Sequence, residues 1–180
     1  ISSTSNAQLA GTVTLSSAFD FTGTALTLSG VGNAVATSME VTNSGLFTTA
    51  DAADLTVTNE FVQNGTGTNT IGDDITSTAD GIAFATAVTL TSTDAVTFQT
   101  GEAAGDDIVL SGALSGTDDN LTFDAGSAGD IIVGGTTALG TGNLIVRDAD
   151  ILNFGTTSAA TIALTANDVA TSTYNATTTA

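Results

Sequence analysis

Several residue types are missing from this chain of 180 residues. It contains no cysteine, histidine, proline or tryptophan, and Arg147 is its single basic side chain. Without cysteine there is no disulfide bond, and without cysteine or histidine no His-activated nucleophile can form. Proline removes a hydrogen bond from a β-ladder, so a chain without it is free to form continuous sheets.

Positive charge is almost absent, whereas negative charge is abundant. Nineteen acidic residues give a formal net charge of −18. Nucleic acids and anionic lipids are bound through Lys and Arg, so we expect no nucleic-acid partner. No apolar run is long enough to span a membrane, and the first ten residues lack the pattern of a signal peptide.

Apolar and polar residues alternate with a period of two in short segments along the chain. This period is typical of half-buried β-strands, and the surrounding Thr, Ser, Gly, Asn and Asp are poor helix formers. A second recurring motif places an acid before isoleucine, at residues 74, 107, 130 and 150. The clearest alternating segments are Val13-Thr14-Leu15, Leu26-Thr27-Leu28, Leu55-Thr56-Val57, Val88-Thr89-Leu90 and Leu121-Thr122-Phe123.

The spacing of these motifs is constant in one direction and variable in the other. The distance from each isoleucine to a following apolar segment is the same in all four cases, whereas the return distances differ widely. The equally spaced pairs are Ile75 and Val88, Ile108 and Leu121, Ile131 and Leu144, and Ile151 and Leu164. In a β-solenoid a strand-turn-strand unit keeps its length to hold its apolar side chains inside, whereas loops that leave the stack can grow.

We therefore predict an all-β chain folded as a parallel β-solenoid of six or seven coils, with a right-handed β-helix expected. The runner-up is an antiparallel β-sandwich, which also has alternating strands but does not explain one constant spacing beside a variable one. The chain is expected to be one repetitive domain over residues 1–180, a fragment or mature segment of a larger exported protein. Residues 1–12 and 170–180 are expected to be linker or end segments, and residues 59–74 and 92–106 variable loops.

The acid-isoleucine motifs suggest a metal site. If the coils stack in register, Asp74, Asp107, Asp130 and Asp150 form one column, with Asp73 and Asp106 beside it. Stacked carboxylates repel one another, and a hard cation such as calcium would relieve that repulsion. The alternative is that each Asp caps a turn of its own backbone. The glycine-rich calcium repeat of other solenoids is not found in the sequence.

Two further features have structural interpretations. Leu144 aligns with Leu121, which places Arg147 over Asp124 and predicts an ion pair between coils. A column of threonines on one outer face is the arrangement with which some solenoids bind ice, although Arg147 and Asp124 would interrupt a flat face. The threonines of this predicted column are Thr14, Thr27, Thr56, Thr89, Thr122 and Thr165.

An enzyme is not expected. Glycosidases need two carboxylates in a groove, and carbohydrate-active sites usually carry aromatic platforms, but Tyr174 is the single tyrosine and tryptophan is absent. We predict no catalytic residues and no cofactor other than calcium.

The segments 107–114 and 120–126 resemble the repeats of large bacterial surface adhesins of the filamentous-haemagglutinin and autotransporter-passenger type. The composition, rich in Thr, Ala, Gly and Asp, is also similar to that of bacterial S-layer proteins. These resemblances imply a parallel β-helix in a prokaryotic protein that is extracellular or at the cell surface. They imply a non-enzymatic structural or adhesive role as part of a rod, fibre, sheath or surface layer. The expected partners are copies or neighbouring repeats of the same protein. The alternative is a module that binds a glycan or protein receptor through residues 59–74 and 92–106.

Overall fold

The computed structural model describes residues 2–164 and 171–174, and every strand pairing in that part of the chain is parallel. These residues form a parallel β-solenoid of about eight turns, and none of them lies in a helix. The prediction of a parallel solenoid is confirmed, and the antiparallel sandwich was wrong. No helix within the described residues is long and apolar enough to cross a membrane.

Each coil consists of short strands separated by tight corners. In chain order the strands are β1 (Ser2–Leu9), β2 (Thr14–Leu15), β3 (Phe19–Leu28), β4 (Asn33–Val35), β5 (Met39–Asn43), β6 (Phe47–Thr49), β7 (Leu55–Val57), β8 (Phe61–Gln63), β9 (Asn69–Ile71), β10 (Ile75–Ser77), β11 (Ile82–Phe84), β12 (Val88–Leu90), β13 (Val96–Gln99), β14 (Ile108–Leu110), β15 (Leu114–Ser115), β16 (Leu121–Asp124), β17 (Ile131–Val133), β18 (Thr137–Ala138), β19 (Asn143–Asp148), β20 (Ile151–Phe154), β21 (Thr157–Ser158), β22 (Thr161–Leu164) and β23 (Thr171–Tyr174).

The strands stack into three faces. Face 1 contains the first half of β3 with β5, β8, β11, β14, β17, β20 and β23. Face 2 contains the second half of β3 with β6, β9, β12, β15, β18 and β21, and β1 pairs with β3 at its end. Face 3 contains β2, β4, β7, β10, β13, β16, β19 and β22. Because β3 runs through the first corner, faces 1 and 2 form one 15-stranded sheet.

Coil length varies because the corners tolerate insertion. The longest coil on face 1 separates Ile82 from its partner Ile108, and it contains the loop between β13 and β14. The count of six or seven coils was too low, since β1 and β23 each belong to a further coil at the ends of the chain that we expected to be linkers. Successive partners on face 1 are Phe19, Met39, Phe61, Ile82, Ile108, Ile131 and Leu152.

The interior is filled by the inward residues of three-residue strands, which read buried, half-buried or exposed, buried. Six phenylalanines form a continuous stack along the axis, with ring centroids 5.2–5.9 Å apart. The stack consists of Phe47, Phe61, Phe84, Phe98, Phe123 and Phe154. Tilted rings at this separation stabilise one another beyond their buried area, by about 0.5–1.5 kcal/mol per pair.

Buried amides support the corner between faces 1 and 2. Gln63 Nε2 donates to Asn43 Oδ1 (2.7 Å) in the preceding coil and to Gly65 O (3.0 Å) in its own corner. Asn69 Nδ2 donates to Gln63 Oε1 (3.3 Å) and to Ala87 O (3.1 Å). Since each amide is almost completely buried, these bonds satisfy corner carbonyls that solvent does not reach.

Two sequence interpretations are corrected by the register. The constant spacing does not mark one repeated unit: Ile75 and Val88 lie on faces 3 and 2, whereas Ile108 and Leu121 lie on faces 1 and 3. Residues 59–74 are not a loop, because they contain β8 and β9. Residues 92–106 contain β13, and the inserted loop is the later part, residues 100–107.

Candidate functional site

The four acid-isoleucine motifs do not form one column. Asp107 and Asp130 precede strands of face 1 in neighbouring coils, because Ile108 pairs with Ile131. Asp74 instead precedes β10, which belongs to face 3. The predicted column is wrong for Asp74, because the spacing that suggested it joins strands of different faces.

Asp150 lies on the correct side of the solenoid but is one residue out of register. Leu152, rather than Ile151, pairs with Ile131. The backbone N–H of Asp150 donates to Gly129 O (2.8 Å), so Ile151 takes the position beside Asp130. Of the four predicted carboxylates, two are therefore in register with each other.

Four of the six predicted metal ligands accept hydrogen bonds from backbone N–H groups at the corners. This is the capping role that Asp commonly has in turns. Two of these bonds join neighbouring coils, so the carboxylates also hold one coil against the next. The bonds run from Asp74 N to Asp73 Oδ1 (2.8 Å), from Thr97 N to Asp74 Oδ1 (2.6 Å), from Ala103 N to Asp106 Oδ2 (2.8 Å) and from Asp130 N to Asp107 Oδ1 (2.8 Å).

These positions do not assemble a metal centre. Within residues 2–164 and 171–174, no group of three or more acidic side chains is placed to hold a metal ion. Calcium takes six to eight oxygen ligands, more than a pair of carboxylates offers. Calcium binding therefore stays a prediction from the sequence. The positions of these carboxylates add no support to it.

A shallow acidic groove crosses face 1. A depression of about 330 Å³ lies over Met39 and Val62, with Glu40 and Glu60 on its rim. Asn64 Nδ2 donates to Glu40 Oε1 (2.5 Å) and so orients that carboxylate. Partial burial raises the pKa of Glu60, and the charges of Asp80 and Glu40 raise it further.

The acidic character continues along the corner between faces 3 and 1. A second depression, of about 140 Å³, shares Glu60 and reaches Asp80, Asp107 and Gly105 of the inserted loop. Burial raises the pKa of Asp130, and Asp107 and Asp150 raise it further. This side of the molecule therefore concentrates negative charge and repels anions.

Face 2 is different, because its outward column carries no charge. The pairing register places in one column Gln8, Thr27, Thr48, Thr70, Thr89, Ser115, Ala138 and Ser158, and we call the surface formed by these eight side chains the neutral face. The hydroxyl groups of Thr89 and Ser115 lie 3.2 Å apart. Four consecutive threonines stand in this column, and no acidic residue of the described chain interrupts it.

The threonine column predicted from the sequence was wrong in three of its six members. Thr14 and Thr56 lie on face 3, Thr122 is buried, and Thr165 falls outside the described residues. Only Thr27 and Thr89 belong to the neutral face. The threonines that complete it, Thr48 and Thr70, were missed because they sit in segments with few alternating apolar residues. The signal that could have found them is the recurrence of similar segments once per coil.

The predicted ion pair of Arg147 is also corrected. A register shift after Phe123 places Asp148, rather than Arg147, opposite Asp124. Both carboxylates are half-buried at the end of face 3, whereas Arg147 is exposed. The register shift marks a β-bulge, in which β19 carries one residue more than β16 between paired positions.

Comparison with known protein families, with curated proteins and with solved structures gives no match. The features of the chain that bear on function are its continuous apolar interior, the acids of faces 1 and 3 and of the corners that border face 3, and the neutral face.

Proposed function

We propose that the chain is a non-enzymatic extracellular structural module, which acts as a rod-like segment of a prokaryotic surface protein, fibre, sheath or surface layer. The observation that carries this proposal is the uninterrupted interior. The phenylalanine stack and the ladders of all three faces run through successive coils without a break. Each coil contacts mainly its neighbours, an arrangement that extends into a stiff rod by repetition.

The net charge controls how closely copies of the same protein approach one another. A net charge of −18 keeps separate copies soluble at low salt, and this repulsion is screened as ionic strength rises. The resemblance of residues 107–114 and 120–126 to adhesin repeats agrees with this role. The partners in this proposal are other copies or neighbouring repeats.

A second candidate function is recognition of a glycan or protein receptor through the inserted loop 100–107. This loop makes the longest coil, and it borders the depression formed with Glu60, Asp80 and Asp107. Asp106 is buried in the loop and accepts the N–H of Ala103, so the loop has a defined conformation. Long ordered loops on regular scaffolds commonly carry binding function.

Removal of residues 101–106 distinguishes the two candidates. The deletion shortens the coil towards the length of its neighbours and leaves β13 and β14 in place. A structural module keeps its assembly after this deletion, as measured by light scattering and sedimentation. If the loop recognises a receptor, the deletion abolishes binding of the protein to glycan arrays or to cells. Loss of assembly in the deleted but folded protein would contradict the structural proposal.

A further inference from the structure

Charge is segregated around the axis of the solenoid. The acidic residues of the described chain lie on faces 1 and 3, at the corner between them, or at the corner between faces 2 and 3. In the same part of the chain, the corner between faces 1 and 2 and the whole neutral face carry none. Because the pattern holds in every described coil, one side of the rod is uncharged along its length.

Apart from Gln8, the neutral face carries only short side chains. Its column offers hydroxyl and methyl groups at the strand repeat of about 4.8 Å. Leu46, which directly precedes β6 and lies beside this column, is 42% exposed and is among the few large apolar side chains that face solvent. Small side chains repeated along parallel strands allow two sheets to approach closely and interdigitate, as in the dry interfaces of stacked β-sheets.

We propose that the neutral face is the surface through which two copies of this chain pair side by side. This inference rests on the proposed structural function and names the contact that it needs. In the simplest arrangement the two neutral faces meet about a twofold axis, so that each threonine column packs against the other. Faces 1 and 3 then point away from the interface, and the acids at the corner between faces 2 and 3 lie along its edge.

Electrostatics favours a second copy as the occupant of this face. Two chains of net charge −18 repel strongly when faces 1 or 3 approach one another. Pairing through the neutral faces brings no carboxylate of faces 1 or 3 into the contact, and only the corner between faces 2 and 3 places acids at its edge. An interface without charge also avoids the loss of hydration that a buried carboxylate would suffer.

The area of the face predicts a weak interaction. Eight positions at about 4.8 Å span about 34 Å, and a strand with its flanking residues is about 16 Å wide. Their product is about 540 Å² for each partner and about 1,100 Å² in total, close to the lower limit of about 1,000 Å² for a specific interface. A longer solenoid would bury proportionally more. A pair shifted by one coil loses only one coil of contact, so staggered pairs can extend into a filament.

Two matched variants test the pairing. Thr89 and Thr56 are each the exposed centre of a three-residue strand between two buried aliphatic side chains, Thr89 on the neutral face and Thr56 on face 3. Thr89→Glu and Thr56→Glu add the same single negative charge. Thermal melts followed by circular dichroism verify that both variants fold.

Sedimentation velocity then measures association of the full chain in about 0.1 M and about 1 M NaCl, where the screening length falls from about 10 Å to about 3 Å. We expect the unmodified chain and Thr56→Glu to associate in high salt. We expect the association of Thr89→Glu to be at least tenfold weaker.

Three outcomes would overturn the pairing. Equal weakening by both variants would mean that total charge, rather than the neutral face, controls association. Assembly that is unchanged in Thr89→Glu would leave the structural role in place and move the contact to another surface. A chain that stays monomeric in high salt and instead shapes growing ice crystals would make ice the occupant of the face. If the unmodified chain does not assemble under any condition, the structural proposal fails together with the pairing.

Discussion

Carboxylates at the corners of this solenoid serve mainly to accept backbone N–H groups. Asp51 shows the effect over the longest distance, because Thr93, two coils away, donates to it through its hydroxyl (2.7 Å) and its backbone N–H (3.4 Å). These hydrogen bonds lower the pKa of Asp51. Elsewhere acids lie close to one another, and burial raises the pKa of Asp73, with the nearby Asp54 adding to the shift.

The stability of the folded chain should depend on pH in the direction set by the carboxyl groups whose pKa is raised. Burial together with neighbouring acids raises the pKa of Glu60, Asp73 and Asp130 above the ordinary values of 4.5 for Glu and 3.8 for Asp. The folded chain then binds more protons than the unfolded chain in this range. The stability that these groups contribute is fully present at a pH below their ordinary pKa values. It is lost as the pH rises through their raised pKa values in the folded chain. We expect a higher melting temperature near pH 4.5 than at pH 7, measured by circular dichroism.

Glu60→Gln tests one of these sites directly. Removal of this carboxylate relieves its repulsion with Asp80 and Glu40. The variant should melt about 1–2 °C higher at pH 7, a small effect because solvent screens an exposed side chain, and its stability should vary less with pH. Asp94→Asn removes the same charge from an exposed corner elsewhere. Equal gains in the two variants would attribute the effect to net charge alone.

The inward position of Gln63 could be predicted from the sequence, but its role could not. Gln63 occupies the third position of Phe61-Val62-Gln63, where the alternation requires an inward residue. Sequence reasoning passed over it because a buried amide contradicts the apolar pattern. Its role depends on partners in the preceding coil and in the corner, and pairing across coils cannot be read from local alternation.

Corners set the geometry of each coil, and glycine is required where one corner lies directly on the next. Gly140 adopts a positive φ of 59°, and an added Cβ would lie 2.0 Å from Thr117 O of the preceding coil. A side chain here meets both backbone strain and a carbonyl that belongs to a rigid corner. We expect Gly140→Ala to destabilise the chain by about 2–4 kcal/mol in urea unfolding.

Two other glycines separate the contribution of backbone strain from that of the clash with a neighbouring carbonyl. Gly32 has a positive φ of 66° with open space around a Cβ, so Gly32→Ala should cost about 1–2 kcal/mol from backbone strain alone. Gly11 has open space and no positive φ, and Gly11→Ala should be close to neutral. If Gly140→Ala lowered the free energy of unfolding no more than Gly32→Ala, the prediction would be contradicted. The corner at Gly140 would then have to shift to accommodate a Cβ.

The strands could be predicted from the sequence, but their assignment to faces could not. Period-two alternation correctly located β7, β12 and β16, because each has two buried aliphatic or aromatic residues around a central threonine. The same alternation occurs on all three faces, so it cannot distinguish them. The constant spacing between motifs therefore supported the correct fold while it placed Asp74 in the wrong column.

Across the whole molecule, the most informative property is the distribution of charge around the axis. The net charge of −18 can be counted from the sequence, but the neutral face cannot be identified from it. That face is defined by the strand register, which brings residues of successive coils into one column. The register also removes Arg147 and Asp124 from the threonine column, since both lie on face 3. A rod with two acidic faces and one neutral face has a preferred side for contact, which a uniformly charged rod would lack.

The central claim, that the chain is a self-associating structural module, is tested most directly by negative-stain electron microscopy. The purified chain would be imaged in about 1 M NaCl, where screening is strongest, first with calcium and then with a chelator. The account predicts fibres or ordered sheets in both conditions, because the corner carboxylates cap backbone groups and no described cluster of three holds a metal ion. Dispersed short particles in both conditions would contradict it.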